Sequence, residues 1–246
     1  MLEIRHLSKS YGDTQAIADV DFTVVEREFV SVVGPSGCGK TTLLKCIAGL
    51  LEPTSGEVVL QEDKVMALVF QEYSRSLMPW LSVRKNVALP LRHRDKAERA
   101  RLVDEAVEAV GLTRFIDSYP WQLSGGMQQR VAIARALAYQ PQILLMDEPF
   151  ASVDAQTRAD LEDLILEVRE RYDVTIVFVT HDIDESVYLS DRIVVLGPSP
   201  TTVKEILQVE LPRPRDQVET KELPDFAHLR AHVYRLIKRE EARVAP

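Results

Sequence analysis

Positive charge is in short supply in this chain. Its 246 residues carry 30 Lys and Arg against 38 Asp and Glu, a formal net charge of -8. That balance argues against a nucleic-acid binder working by bulk attraction, because such proteins neutralise many phosphates at once. Long apolar runs are missing too: no stretch approaches the roughly 18 consecutive apolar residues of a membrane span. The opening MLEIRHLSKSYG has no apolar centre of the kind a signal peptide needs, so a soluble cytosolic polypeptide is expected. Cysteine is limited to Cys38 and Cys46, too few for a disulfide framework. Internal repeats and low-complexity segments are absent, and the length suits one large domain or a domain with an insertion.

What is present begins with VVGPSGCGKTTLL, Val32 to Leu44. Glu28 to Val33 reads as a buried strand, and Leu43, Leu44, Ile47 and Ala48 share one face of a helix stopped by Gly49. Gly34, Gly37 and Gly39 therefore sit in a strand-to-helix turn, where their backbone folds back with N–H groups inward. The following helix adds about half a positive charge at its start. Gly34, Pro35, Ser36, Gly37, Cys38, Gly39, Lys40, Thr41 and Thr42 thus form a phosphate cradle. Lys40 reaches the β- and γ-phosphates and the Thr41 hydroxyl is placed to ligate magnesium. The alternative is a glycine-rich turn that only connects two elements. Cys46 packs in the helix, whereas Lys40 and the helix terminus are expected to activate the Cys38 thiol.

Ile143 to Met146, Thr175 to Val179 and Arg192 to Leu196 are further apolar runs expected as strands of a mainly parallel, doubly covered sheet. Leu161, Leu164, Ile165 and Val168 make one helical stripe between them, which is the alternation of an α/β fold. From about Glu72 to Gln140 the pattern is helical only, with Leu102, Val103, Ala106, Val107 and Val110 on one face closed by Gly111. Prolines 212, 214 and 224 break structure after Leu211, and a last helix carries Leu229, Val233, Leu236 and Ile237 on one side. His228 and His232, four apart on it, read as a solvated face with no carboxylate or cysteine partner.

Asp147 and Glu148, in ILLMDEP, stand at the carboxyl end of a buried strand, the edge where open α/β sheets bind ligands. Asp147 is suited to the magnesium shell and Glu148 to orienting or deprotonating an attacking water. His181 follows another strand at the same edge, within reach of a γ-phosphate. Ser124 is a good N-cap, and Gly125 and Gly126 leave first-turn N–H groups uncovered, a second anion site or simply a capped helix.

These motifs, in this order, resemble those of the ATP-binding cassette (ABC) family, the nucleotide-driven subunits of membrane transporters. The resemblance covers nearly the whole chain. It implies a P-loop NTPase (RecA-like) α/β core with an antiparallel β subdomain and an inserted α-helical subdomain. The implied segments are 1–71, the first part of the core; 72–140, the helical subdomain; 141–211, the second part of the core; and 212–246, a C-terminal helical extension. It also implies that Tyr11, otherwise a core tyrosine, stacks on adenine, and that Gln71 senses the γ-phosphate and magnesium while contacting the permease. LSGGM, with Ser124, Gly125, Gly126 and Met127, resembles the family signature. Asp147, Glu148 and His181 resemble the magnesium aspartate, catalytic glutamate and switch histidine, and SVDA around Asp154 the dimer-crossing loop.

LMPWLSVRKNVALPL, DEPFASVDAQTR and THDIDESVYLSDRIVVL are most similar to cassettes of the nitrate, sulfonate and taurine import group. The resemblance thus implies ATP and Mg2+ as ligands, a homodimer with each ATP between one P-loop and the partner's signature, and transmembrane permease subunits. It also implies, indirectly, a periplasmic solute-binding protein, and it places this chain peripherally at the cytoplasmic face of the bacterial inner membrane. Met127 departs from the family's glutamine, and Gly56 to Phe70, GEVVLQEDKVMALVF, is shorter than is usual in the group, which implies a trimmed antiparallel hairpin turning at Gln61 to Lys64. Met78, Trp80 and Leu81 are either permease groove or helical core. Rival readings are a soluble non-transport cassette ATPase, which commonly carries two cassettes or a coiled coil, and an ATP-sensing module without turnover, against which Glu148 and His181 argue.

Overall fold

The computed structural model describes residues 1–61, 64–72 and 76–244, the last five without side chains. Its strands are β1 (Leu2–Tyr11), β2 (Thr14–Val24), β3 (Phe29–Val33), β4 (Ser55–Leu60), β5 (Met66–Val69), β6 (Ile143–Asp147), β7 (Thr175–Val179), β8 (Arg192–Leu196) and β9 (Thr201–Gln208). The helices are α1 (Lys40–Ile47), α2 (Val83–Val87), α3 (Lys96–Ala109), α4 (Gly125–Leu137), α5 (Ala155–Tyr172), α6 (Ile183–Leu189), α7 (Glu219–Glu222) and α8 (Pro224–Val244). The chain divides into two compact units, residues 1–64 with 175–246 and residues 65–174.

In the first unit the strands run in the order β4-β1-β2-β9-β8-β3-β7. β3, FVSVV, and β7, TIVFV, are buried at every residue, as parallel strands covered on both faces must be. They pair in parallel with Val32 opposite Val179, and β3 pairs in parallel with β8 on its other side. β1, β2 and β4 form the antiparallel part, and β2 alternates buried and exposed residues along its second half. α8 lies along this unit with Phe226 and Val233 buried. Its apolar stripe is where the 3.6-residue period puts it, and the histidine face is solvated, but the expected lack of a carboxylate partner is corrected. Glu205 of β9 reaches His232, Nε2 to Oε1 3.0 Å, so that imidazole has a carboxylate partner across the unit, while His228 remains exposed.

The expected hairpin is also corrected. β4 pairs antiparallel with β1, whereas β5 pairs in parallel with β6, Met66 opposite Ile143. Glu62 and Asp63 of the expected turn lie outside the described residues. The stretch MALV is a short, mostly half-buried strand whose partner, β6, lies far along the sequence, which the polar segment before it does not reveal.

In the second unit, β5 and β6 are accompanied by α2 to α5. Leu102, Val103, Ala106 and Val107 of α3 are buried, as are Val131, Ile133, Ala134 and Leu137 of α4 and Leu161, Leu164, Ile165 and Val168 of α5. Asp95 caps α3 by accepting from Ala97 and Glu98 N–H groups.

Candidate nucleotide site

The expected site residues fall into two groups, one in each unit. In the first unit, β3 and β7 are parallel neighbours, and Thr180 N–H still bonds Val32 O, 3.2 Å, one residue past the end of β7. The turn from Gly34 onward and His181 therefore leave the same carboxyl edge. Gly37 and Gly39 take φ of 76° and 101°, backbone that a side chain strains, and an added Cβ at Gly37 would meet nothing within 4 Å. Gly39 caps α1 with no side-chain bond, so the first N–H groups of the helix have no side chain set against them at the cap. Lys40 folds back across the turn and its Nζ donates to Gly34 O (2.9 Å) and Pro35 O (3.1 Å). An ammonium closing over a ring of backbone amides fits a polyphosphate.

Cys38 is not the activated thiol expected from its sequence neighbours. Its side chain is 1% exposed, packed behind the turn where a Cβ on Gly34 would touch its Sγ. Burial pushes the thiol pKa up, and the pull of Lys40 downward is the smaller effect. Cys46 is buried in α1 as expected. Tyr11 ends β1 with 52% exposure, which rules out a core tyrosine, and Lys9 Nζ lies over its ring, 5.4 Å from the centre. His181 is exposed at the turn into α6. Asp182 caps that helix by accepting from Asp184 and Glu185 N–H groups, and Thr180 Oγ1 donates to Glu185 Oε2 at 2.6 Å, so the turn is held from both sides.

In the second unit the parallel pair β5 and β6, with Val69 opposite Met146, delivers Gln71, Asp147 and Glu148 to one edge. Gln71 Nε2 lies 3.4 Å from Glu148 Oε2. Asp147 is buried, and Glu148 adopts φ of 42°, left-handed backbone that costs a non-glycine residue about 1–3 kcal/mol and collects at functional sites. Ser124 caps α4, its hydroxyl accepting from Met127 N at 3.3 Å, and Gly125 is exposed. Gly126 is buried against Thr157 of α5 rather than merely uncovered. Asp154 caps α5 through Thr157.

Among the described residues there is no group of three His, Cys, Asp or Glu side chains that could hold a metal. Thr41, Gln71 and Asp147 offer only oxygen to a cation. That fits magnesium, which takes few protein ligands and completes its shell with water and phosphate.

Sequence reasoning missed Asn86, Arg135 and Thr157. Asn86 is fully buried; its Nδ2 donates to Met78 O, Leu81 O and Ser82 O and its Oδ1 accepts from Met78 N, which pins the loop bearing Trp80. The sequence offered no clear signal for it, since Asn86 follows Arg84 and Lys85 in SVRKNVALPL and reads as one more polar helix residue. Arg135 donates to Ser76 O (2.7 Å) and Oγ (2.8 Å). Trp80 is 70% exposed, so it is not helical core, while Met78 and Leu81 are half-buried.

A glycine turn between a buried strand and a helix, closed by Lys40, in an α/β sheet, defines a P-loop nucleotide-binding protein. A family model described as ABC transporter matches residues 17–151, and the chain belongs to that family as a transport ATPase cassette. It is 42% identical over 237 residues to the aliphatic sulfonates import ATP-binding protein of Bacillus thuringiensis subsp. konkukian, covering 91% of this chain and 93% of that one. It is 42% identical over 240 residues to a nitrate import ATP-binding protein of Synechococcus elongatus, covering 93% of this chain but 36% of that protein's length. Among solved structures, a dimeric ATP-binding cassette in a post-hydrolysis state bound to ADP and Pi superposes with a TM-score of 0.73 at 35% identity, over 85% of this chain and 99% of that one. No described helix is long and apolar enough to cross a membrane.

Proposed function

We propose that this chain is the ATP-hydrolysing subunit of a bacterial importer for a small anion of the nitrate or sulfonate class. The observation that carries the solute class is the identity of above 40%, over nine tenths of the chain, to import subunits for nitrate and for sulfonates. Two chains close head to tail on two ATP molecules, each held by the P-loop of one chain and the Ser124, Gly125 and Gly126 amides of the other. The dimeric form of a related cassette supports this arrangement, and one P-loop and one signature per chain make the two sites equal by two-fold symmetry.

Within each site Tyr11 stacks on adenine. Backbone N–H groups of Gly34 to Thr42, with Lys40, hold the phosphates. Thr41, Asp147 and Gln71 hold magnesium directly or through water, which when bound screens the phosphate charge. Glu148 orients and deprotonates the attacking water, and His181 donates to the γ-phosphate. Met127 contributes no side-chain amide. The segments 1–71 and 141–211 act as the nucleotide-binding core, 72–140 as the helical subdomain that meets the permease, and 212–246 as an extension, with the subunit peripheral to the cytoplasmic face of the cell membrane.

ATP turnover is the test, measured on the subunit alone and on the complex purified with its permease and solute-binding protein. Stimulation by the solute-loaded binding protein is expected, with nitrate and small sulfonates as ligands. Equal turnover in both settings points to a non-transport ATPase, and binding without turnover to an ATP sensor.

A further inference from the structure

We propose that Thr157 is a positioning residue that sets the start of the signature helix α4 and ties it to the loop preceding α5. The inference rests on reading Ser124 to Gly126 as a nucleotide cradle. Asp154 Oδ1 accepts from Thr157 N (3.0 Å), and its Oδ2 accepts from the Thr157 hydroxyl (2.7 Å). Together these bonds hold the Asp154 carboxyl below the usual carboxylate range. With Oγ1 committed to Asp154, a β-branched side chain has no freedom left at χ1, so the place of its methyl is decided as well. That methyl faces Gly126: a Cβ added there would overlap Thr157 Cγ2, while Thr157 Cβ and Oγ1 would stand 3.7 and 3.9 Å away, at ordinary contact.

The side chain therefore acts at two points. Its hydroxyl reports where the loop carrying Ala151 to Asp154 is, and its methyl is the surface on which the first turn of α4 rests. A shift of that loop reaches the amides of Gly125 and Gly126 through one residue that belongs to neither motif. The two contacts separate chemically, since serine keeps the hydroxyl and loses the methyl, and valine does the reverse.

The test uses chains carrying Glu148→Gln, in which hydrolysis is removed, with ATP-dependent dimer formation followed by light scattering across an ATP titration. Thermal unfolding without nucleotide monitors the fold. Thr157→Val should raise the ATP concentration for half-dimer about tenfold, the worth of one charge-assisted hydrogen bond. Gly126→Ala should abolish the dimer at ATP levels that saturate the parent, and adding Thr157→Ser should restore it by removing the methyl that the new Cβ meets. A threonine that only packs against Gly126 predicts the rescue as well, but no effect of Thr157→Val on dimer formation in a chain that unfolds at the parent's temperature. If Gly126→Ala dimerises like the parent, or Thr157→Ser fails to rescue it in a chain that unfolds at the parent's temperature, the positioning role is wrong. If the parent fails to close in ATP both as the free subunit and in the assembled transporter, the cradle reading falls and this proposal falls with it. Should Thr157→Val not fold, failure of the rescue pair still overturns the proposal.

Discussion

Lys40 shows how far one side chain was readable from its neighbours. Its charge, its place after Gly39 and the turn around it follow from spacing alone, and its ammonium does lie over Gly34 O and Pro35 O. Lys40→Ala should leave the fold intact, weaken ATP binding and abolish turnover, because backbone amides alone then face the β- and γ-phosphates. Near-normal hydrolysis by a folded mutant would remove Lys40 from the site. Cys38 marks where the same local reasoning fails. Sequence reveals the lysine two positions on, but not that the Sγ is packed behind the turn, where desolvation outweighs that charge. The native thiol should therefore alkylate at least tenfold more slowly at pH 8 than in the urea-unfolded chain, and ATP should add little protection. The sign for stability follows from the raised pKa: the contribution is complete below the ordinary value of 9.0 and is lost as pH rises through the higher folded value. Fast labelling of the native chain would place the thiol at the surface.

At the scale of elements, buried strands were the most legible, because β3, β7 and β8 are mostly apolar, β-branched runs whose bounds need no partner to define them. The pairing of β4 and β5 was not, since two short apolar stretches joined by a polar turn look the same whether they meet each other or different neighbours. Long-range polar contacts were equally hidden. Asn86 looks like an ordinary helix residue, yet it closes the loop from Met78 to Ser82 with four hydrogen bonds. Asn86→Ala should cost about 2–3 kcal/mol, the penalty of orphaned backbone groups in a half-buried loop, and lower the unfolding midpoint by several degrees. An unchanged midpoint would mean that water replaces all four bonds. Trp80→Glu changes an exposed side chain on that same loop, so unfolding and the ATPase of the free subunit should both be unaltered. Co-purification of permease with this variant should be lost if the loop is the docking surface; normal assembly would place docking elsewhere.

For the whole molecule, the starts of α1 and α4, which the proposed function takes as two phosphate cradles, lie in different compact units. On that proposal each chain has two half-sites to offer, and ATP would satisfy both when two chains meet. Glu148→Gln tests this most sharply. Its amide keeps the size of the carboxyl and still bonds water, but accepts no proton, so turnover should fall by roughly 100-fold or more while nucleotide contacts survive. In ATP and magnesium this variant should elute at twice the monomer mass. ADP should not support that dimer, because the phosphate facing the partner's Ser124, Gly125 and Gly126 is missing. Adding Ser124→Arg should abolish the dimer, since its bulk would fill the second cradle. Failure to dimerise in saturating ATP and magnesium, both as the free subunit and within the assembled transporter, would overturn the two-chain arrangement. A dimer that forms equally in ADP would show that closure does not depend on the γ-phosphate, and the coupling between hydrolysis and opening would then need another cause.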